Sequence, residues 1–155
     1  MKCVAWNVRE LGNSMAFRGL ADLKRSFDPD IVFLMETKAE NSTMEICRVR
    51  LGFSSKLSVD KIGRSGGLGM FWSDRVDVEL LSYSRFHIDV KVVSHMSKIW
   101  RLTGFYGDPD PEQKHHTWTL LHRLQGFSDL PWLCFGDFNE ILEDAKKEGG
   151  RISPR

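Results

Sequence analysis

Four apolar segments of the sequence each end in a side chain suited to metal or phosphate. Cys3-Val4-Ala5-Trp6 leads to Asn7, Ile31-Val32-Phe33-Leu34-Met35 to Glu36, and Leu102-Thr103-Gly104-Phe105 to Tyr106. Trp132-Leu133-Cys134-Phe135-Gly136 leads to Asp137, with Asn139 shortly after it. If these ends share one edge, they gather carboxylates, amides and a phenol in one place. Carboxylate oxygens beside an amide oxygen suit Mg²⁺ or Mn²⁺, which keep several waters and take one or two protein carboxylates plus substrate phosphate. A phenol and an amide can hydrogen-bond phosphate oxygens. Each position also has a plainer reading. Asp137-Phe138-Asn139 reads as an Asx-type turn, Glu36-Thr37-Lys38 as a solvated loop, and Tyr106 as an edge-packing aromatic. The recurrence at four segment ends favours the chemical reading, because open α/β sheets place their sites at the carboxyl ends of strands.

The elements that must position these residues are legible from periodicity. Short apolar runs at 2–6, 31–35, 68–72, 76–81, 87–93, 99–106 and 132–135 predict strands. Ala16, Leu20, Leu23 and Phe27 form the apolar stripe of an amphipathic helix, which Asp28-Pro29-Asp30 stops. A second helix is expected over 43–50. A third is expected to start at Asp110-Pro111-Glu112-Gln113, with Asp110 as cap, Pro111 at the first position and Gln113 completing a capping box. Trp118, Leu121 and Leu124 would form its buried face. The alternation predicts a mixed α/β domain with sheet inside and helices outside.

Composition agrees with one domain over 1–155. The chain has 155 residues, 41% of them apolar, and a formal net charge of +1 from 22 Lys and Arg against 21 Asp and Glu. A chain of this size buries about 70% of its unfolded surface, so a core is possible without staples. The balanced charge excludes a large basic face gripping nucleic acid, for which a pI above about 9 is usual. No run approaches the ~20 apolar residues of a membrane span, and the N-terminal run is too short for a signal peptide. Cys3, Cys47 and Cys134 lie far apart with no C-x-x-C spacing, and are expected to be reduced.

At the residues named above the sequence resembles the endonuclease/exonuclease/phosphatase superfamily, which includes DNase I-like and exonuclease III-like enzymes. More narrowly, it resembles the endonuclease domain of plant LINE-type (non-LTR) retrotransposons. The matching segments are 3–9, Phe33-Leu34-Met35-Glu36-Thr37-Lys38, Gly66-Gly67-Leu68-Gly69-Met70-Phe71-Trp72, Gly104-Phe105-Tyr106-Gly107 and 131–140 with its Gly136-Asp137-Phe138-Asn139. The resemblance implies a four-layered α/β/β/α sandwich that hydrolyses DNA phosphodiesters with Mg²⁺ or Mn²⁺, acting in the nucleus. Carried over by position, Glu36 would hold the metal and Asn7 would help bind metal and phosphate. Tyr106 would contact the scissile phosphate, Asp137 would orient or deprotonate the attacking water, and Asn139 would position that water and the phosphate.

The sequence departs from that pattern in two places. Complete members continue to a Ser-Asp-His-type motif, whereas this chain has no Asp-His dipeptide and ends at Arg155. The expectation is therefore a C-terminally truncated domain with an incomplete second sheet and impaired turnover. None of the five histidines is a good substitute, whether on the helix (His115, His116, His122) or flanking a hairpin strand (His87, His95). Relatives also commonly carry Gly where this chain has Glu10. Two alternatives stand beside the nuclease. One is an inactive module binding metal or nucleic acid weakly; the other is a phosphodiesterase of the same superfamily acting on a phosphorylated small molecule or lipid. Lys38, Lys56, Lys61, Arg64 and Arg151 are candidate nucleic-acid contacts, although the balanced net charge favours reading them as solvated surface charges. Lys38 and Arg64 lead that set.

Overall fold

The fold is taken from a computed structural model, which describes residues 1–139. Its elements in chain order are β1 (Cys3–Asn7), α1 (Ser14–Phe27), β2 (Ile31–Met35), α2 (Asn41–Leu51), β3 (Ser55–Val59), β4 (Leu68–Trp72), β5 (Val76–Ser84), β6 (His87–Ser94), β7 (Ile99–Tyr106), α3 (Lys114–Gln125) and β8 (Trp132–Asp137). They form two four-stranded sheets, ordered β1-β2-β4-β3 and β5-β6-β7-β8. In the first, β1 and β2 run parallel and the other pairs antiparallel. In the second, β7 and β8 form the parallel pair.

Hydrophobic patterning dictates the layers. Every residue of β2 and β4 is buried, as continuous apolar runs require when both faces of a strand are covered. One face meets the second sheet in a core that includes Phe33, Met35, Met70, Ile88, Val90 and Leu102. The other meets α1 and α2 through Leu20, Met44 and Cys47, packed with Val32, Leu34 and Phe71. Helix α3 covers the outer face of the second sheet, where Arg101 Nη1 donates to Leu124 O at 2.7 Å. The result is the expected α/β/β/α sandwich.

Helix α1 follows the sequence reading. The Asn13 side chain caps it by accepting from Met15 N at 2.8 Å, and Asp28 ends it in the left-handed region at φ 46°. Strand β3 was not expected, because Ser55-Lys56-Leu57-Ser58-Val59 has too few apolar residues to stand out. Its pairing with β4 makes it a strand. Helix α3 starts at Lys114 rather than at Asp110. Asp108 and Asp110 instead spend their carboxylates on the backbone N–H groups of Asp110 and Glu112, both at 3.0 Å, building a turn ahead of the helix. Its buried residues are Thr117 and Leu124, and Trp118 is 52% exposed. The three cysteines are free thiols. Among the described residues no helix is long and apolar enough to cross a membrane. Arg151 and the expected tail without strands lie outside the described residues.

Candidate active site

Register brings the strand ends together. Asn7 pairs with Met35 in the parallel β1/β2 ladder, so Glu36 follows directly beside Asn7. Tyr106 pairs with Asp137 in the parallel β7/β8 ladder. The two pairs belong to different sheets, and the Tyr106 hydroxyl joins them by donating to Glu36 Oε1. Asp137 Oδ1 accepts from Asn139 N at 2.8 Å, and Asn139 Nδ2 donates to Gly107 O at 2.5 Å. Asn7 Oδ1 accepts from Arg9 N at 3.0 Å. The five residues picked out at strand ends therefore lie along one edge of the sandwich, with Tyr106 and Glu36 in direct contact.

The backbone at that edge is held in unusual conformations. Seven described non-glycine residues have positive φ, and five of them lie here: Arg9, Glu10, Glu36, Lys38 and Asn139. Each such residue costs on the order of 1–3 kcal/mol and persists where its surroundings over-determine it, commonly at functional sites. For Glu36 and Lys38 the restraint is visible. Thr37 N donates to Gly67 O at 3.1 Å and Lys38 N to Gly66 O at 2.8 Å, while Leu11 N donates to Thr37 O at 2.9 Å. Gly67 is required: its φ is 93°, and a Cβ there would lie 2.3 Å from Thr37 Oγ1. That hydroxyl is fully buried and has no hydrogen-bond partner, a further local cost at the loop that holds Glu36.

Tyr106 is 6% exposed. Burial first, then the hydrogen bond to Glu36 and the charges of Glu36 and Asp137, push its phenol well above the ordinary tyrosine range; a hydrogen bond from Asn139 opposes this only in part. The group therefore stays a neutral O–H donor. A cleft of about 340 Å³ opens over it, lined among others by Glu36, Tyr106, Lys38, Arg64 and Arg85. Arg64 sits on a tight turn closed by the Ile62 and Ser65 backbones, which donate to each other at 2.9 and 3.1 Å.

Of the basic candidates, Lys38 and Arg64 reach the cleft, while Lys56 is engaged by Asn41 Oδ1 at 2.6 Å and by Glu45. Arg85 escaped the sequence reading. It stands on the turn between β5 and β6, its guanidinium 5.1 Å from the Phe86 ring centre, and the available signal was a basic residue in a short break between two strands. Among the described residues no histidine lines the cleft. His115, His116 and His122 are exposed on α3, and buried His87 is fixed between the hydroxyls of Ser82 and Ser84 at 2.9 and 2.6 Å.

The donor set fits a hydrated Mg²⁺ or Mn²⁺. Glu36 and Asn7 bring a carboxylate and an amide to the ends of neighbouring strands β2 and β1, and such ions need few protein ligands when phosphate and water supply the rest. Among the described residues no group of three or more His, Cys, Asp or Glu suited to a metal occurs.

Two face-to-face sheets with parallel pairs ending in Asn7, Glu36, Tyr106 and Asp137 define a DNase I-like α/β sandwich with a phosphate-suited edge. The sequence matches the Endonuclease/Exonuclease/phosphatase family over residues 4–153, and the chain belongs to that family. No curated protein matches it. Among solved structures it is similar to D. rerio TDP2 complexed with a single-strand DNA product, with 19% identity and a TM-score of 0.67 over 94% of this chain and 62% of that one. It is also similar to an AP endonuclease from Archaeoglobus fulgidus, with 20% identity and a TM-score of 0.65 over 90% and 57% of the two chains. The endonuclease domain of TRAS1, a telomere-specific non-LTR retrotransposon, matches with 14% identity and a TM-score of 0.65 over 90% and 61%. The chain thus spans about 60% of the length of these structures.

Proposed function

We propose that this chain is a divalent-metal-dependent DNA phosphodiester hydrolase, an endonuclease domain of the plant LINE-type retrotransposon kind that acts in the nucleus. The observation that carries the reading is the Tyr106 to Glu36 hydrogen bond, which joins the strand ends of both sheets over an open cleft. The retrotransposon assignment is supported by the ordered sequence segments and by the likeness to TRAS1.

Glu36 and Asn7 would hold the metal, and the chemistry it supplies is neutralisation of charge on the phosphoryl oxygens. Asp137 keeps Oδ1 on the Asn139 N–H and uses its second oxygen to orient a water and accept its proton. The water oxygen bonds to phosphorus, the P–O bond to the leaving sugar oxygen breaks, and that oxygen takes a proton from solvent. Tyr106, kept protonated, turns its single O–H from Glu36 to a phosphate oxygen once substrate occupies the cleft, and Lys38 and Arg64 add positive charge at the cleft wall. Among the described residues no histidine lines the cleft to protonate the leaving sugar oxygen, a role that typically contributes ~10²–10⁴-fold in rate. Slow nicking is the expected activity.

The test is plasmid nicking with Mg²⁺ or Mn²⁺ by the unaltered chain, Glu36→Ala and Asp137→Ala. The unaltered chain is expected to nick and each variant to fall by about 100-fold or more. Equal rates in all three would reject catalysis at this edge.

A further inference from the structure

A second groove of about 470 Å³ lies beside the active cleft, between edge strands β3 and β5, and Asp60 lines both. Its walls include Leu57, Val59, Leu80, Ile88 and Tyr83. Tyr83 is 63% exposed, unusual for an aromatic aimed between two sheets. A bulge explains how it comes to be aimed there. Leu80 pairs with Val90 and Ser82 with Asp89, so Leu81 is an extra residue in β5. Val90 and Ile88 both face the core between the sheets, and cross-strand partners share a face. Leu80, opposite Val90, and Tyr83, opposite Ile88, therefore share the inner face. In an unbulged strand their odd spacing would put Tyr83 on the opposite face. Bulges commonly re-aim a side chain next to active sites.

We propose that this groove is a nucleobase subsite, in which Tyr83 stacks on an unpaired base of a DNA strand whose phosphates lie along the active cleft; the proposal rests on the phosphodiesterase reading above. The chemistry of the walls favours a nucleotide over other occupants. Apolar side chains and an exposed phenol ring give a stacking platform, and the adjoining cleft carries Arg64 and Arg85, from loops of the two different sheets, as complements to phosphate. Base stacking on an aromatic residue is sequence-tolerant, because every base presents a π-face. The substrate class that fits is single-stranded DNA or a duplex locally opened beside the scissile phosphate.

The experiment measures binding of fluorescent single-stranded oligonucleotides in EDTA, so cleavage plays no part. It compares the unaltered chain with Tyr83→Ala and Tyr83→Phe, and moves one abasic position along the oligonucleotide. Tyr83→Ala is expected to weaken binding roughly tenfold, with Tyr83→Phe within about twofold of the unaltered chain. One abasic position should weaken the unaltered chain similarly and leave Tyr83→Ala indifferent. Loss in Tyr83→Ala with no position-specific coupling, or no loss at all, overturns the subsite. If no oligonucleotide binds the unaltered chain, the subsite is likewise overturned. Plasmid nicking that persists and depends on Glu36 then shows that the phosphodiesterase reading survives without it; loss of that nicking as well sinks both.

Discussion

Tyr106 holds the two halves of the site together through one proton. Its O–H donates to Glu36 Oε1, and burial with neighbouring carboxylate charge keeps the phenol protonated well beyond its ordinary range. Two outcomes follow for Tyr106→Phe. Nicking should fall by about 10- to 100-fold, the usual worth of a hydrogen bond to a charged group. The pH–rate profile below about pH 10, the ordinary tyrosine value, should keep its shape, since the phenol does not ionise in that window. Stability gives an independent readout. Above about pH 10 the unfolded tyrosine loses its proton while the folded one retains it, so the folded state binds more protons and stability falls as pH rises. Urea unfolding at pH 9 and pH 11 should show this alkaline loss in the unaltered chain and a smaller one in Tyr106→Phe. An identical loss in both would assign the alkaline effect to other groups.

Between β1 and α1 the chain turns through Arg9 and Glu10 at φ 58° and 154°, the second a conformation that glycine adopts without strain. The resemblance already marked Glu10 as a departure from a common Gly, and the backbone supplies the physical reason. Glu10→Gly should raise stability by about 1 kcal/mol, as relief of strain outweighs the extra chain entropy of glycine; a thermal melt that moves down would refute this. The same scale shows what a sequence can reveal. Strands buried on both faces, such as β2 and β4, stand out as unbroken apolar runs, and the residues at the C-terminal ends of β1, β2, β7 and β8 could be chosen from position alone. The edge strand β3 was hidden because its order comes from pairing with β4, not from composition. The start of α3 was misplaced because Asp110 can cap a helix or build a turn, and the two options have the same local spelling. Tyr83 and Arg85 were invisible for a related reason. A one-residue bulge decides which face Tyr83 occupies, and only the fold places the turn after β5 beside the loop after β3.

Across the whole molecule, the second sheet and its helix are clamped by a buried ionic network distant in role from the catalytic edge. Asp89 on β6 and Arg101 on β7 are each 1% exposed, and the guanidinium meets the carboxylate through Nε to Oδ1 at 2.9 Å and Nη2 to Oδ2 at 2.8 Å. Nη1 reaches Leu124 O in α3 at 2.7 Å, and Thr103 Oγ1 donates to Asp89 Oδ1 at 2.7 Å. Trp132 of β8 completes the set, donating Nε1 to Thr103 Oγ1 at 2.8 Å with its ring 4.7 Å from the guanidinium carbon. Three strands and one helix are thereby fixed through groups that have no water to fall back on. Removing one partner leaves the other charge buried and unpaired, so Asp89→Leu and Arg101→Met should each destabilise by about 3–5 kcal/mol. The double variant removes both charges together and should cost less than the sum of the singles, with a coupling of at least ~1 kcal/mol in urea unfolding. Neither side chain lines the active cleft, so each variant that remains folded should nick at a rate within about twofold of the unaltered chain. Additive losses would show that the two residues stabilise the fold independently. A large fall in nicking by a fully folded variant would show that strain in this outer layer reaches Tyr106 along β7.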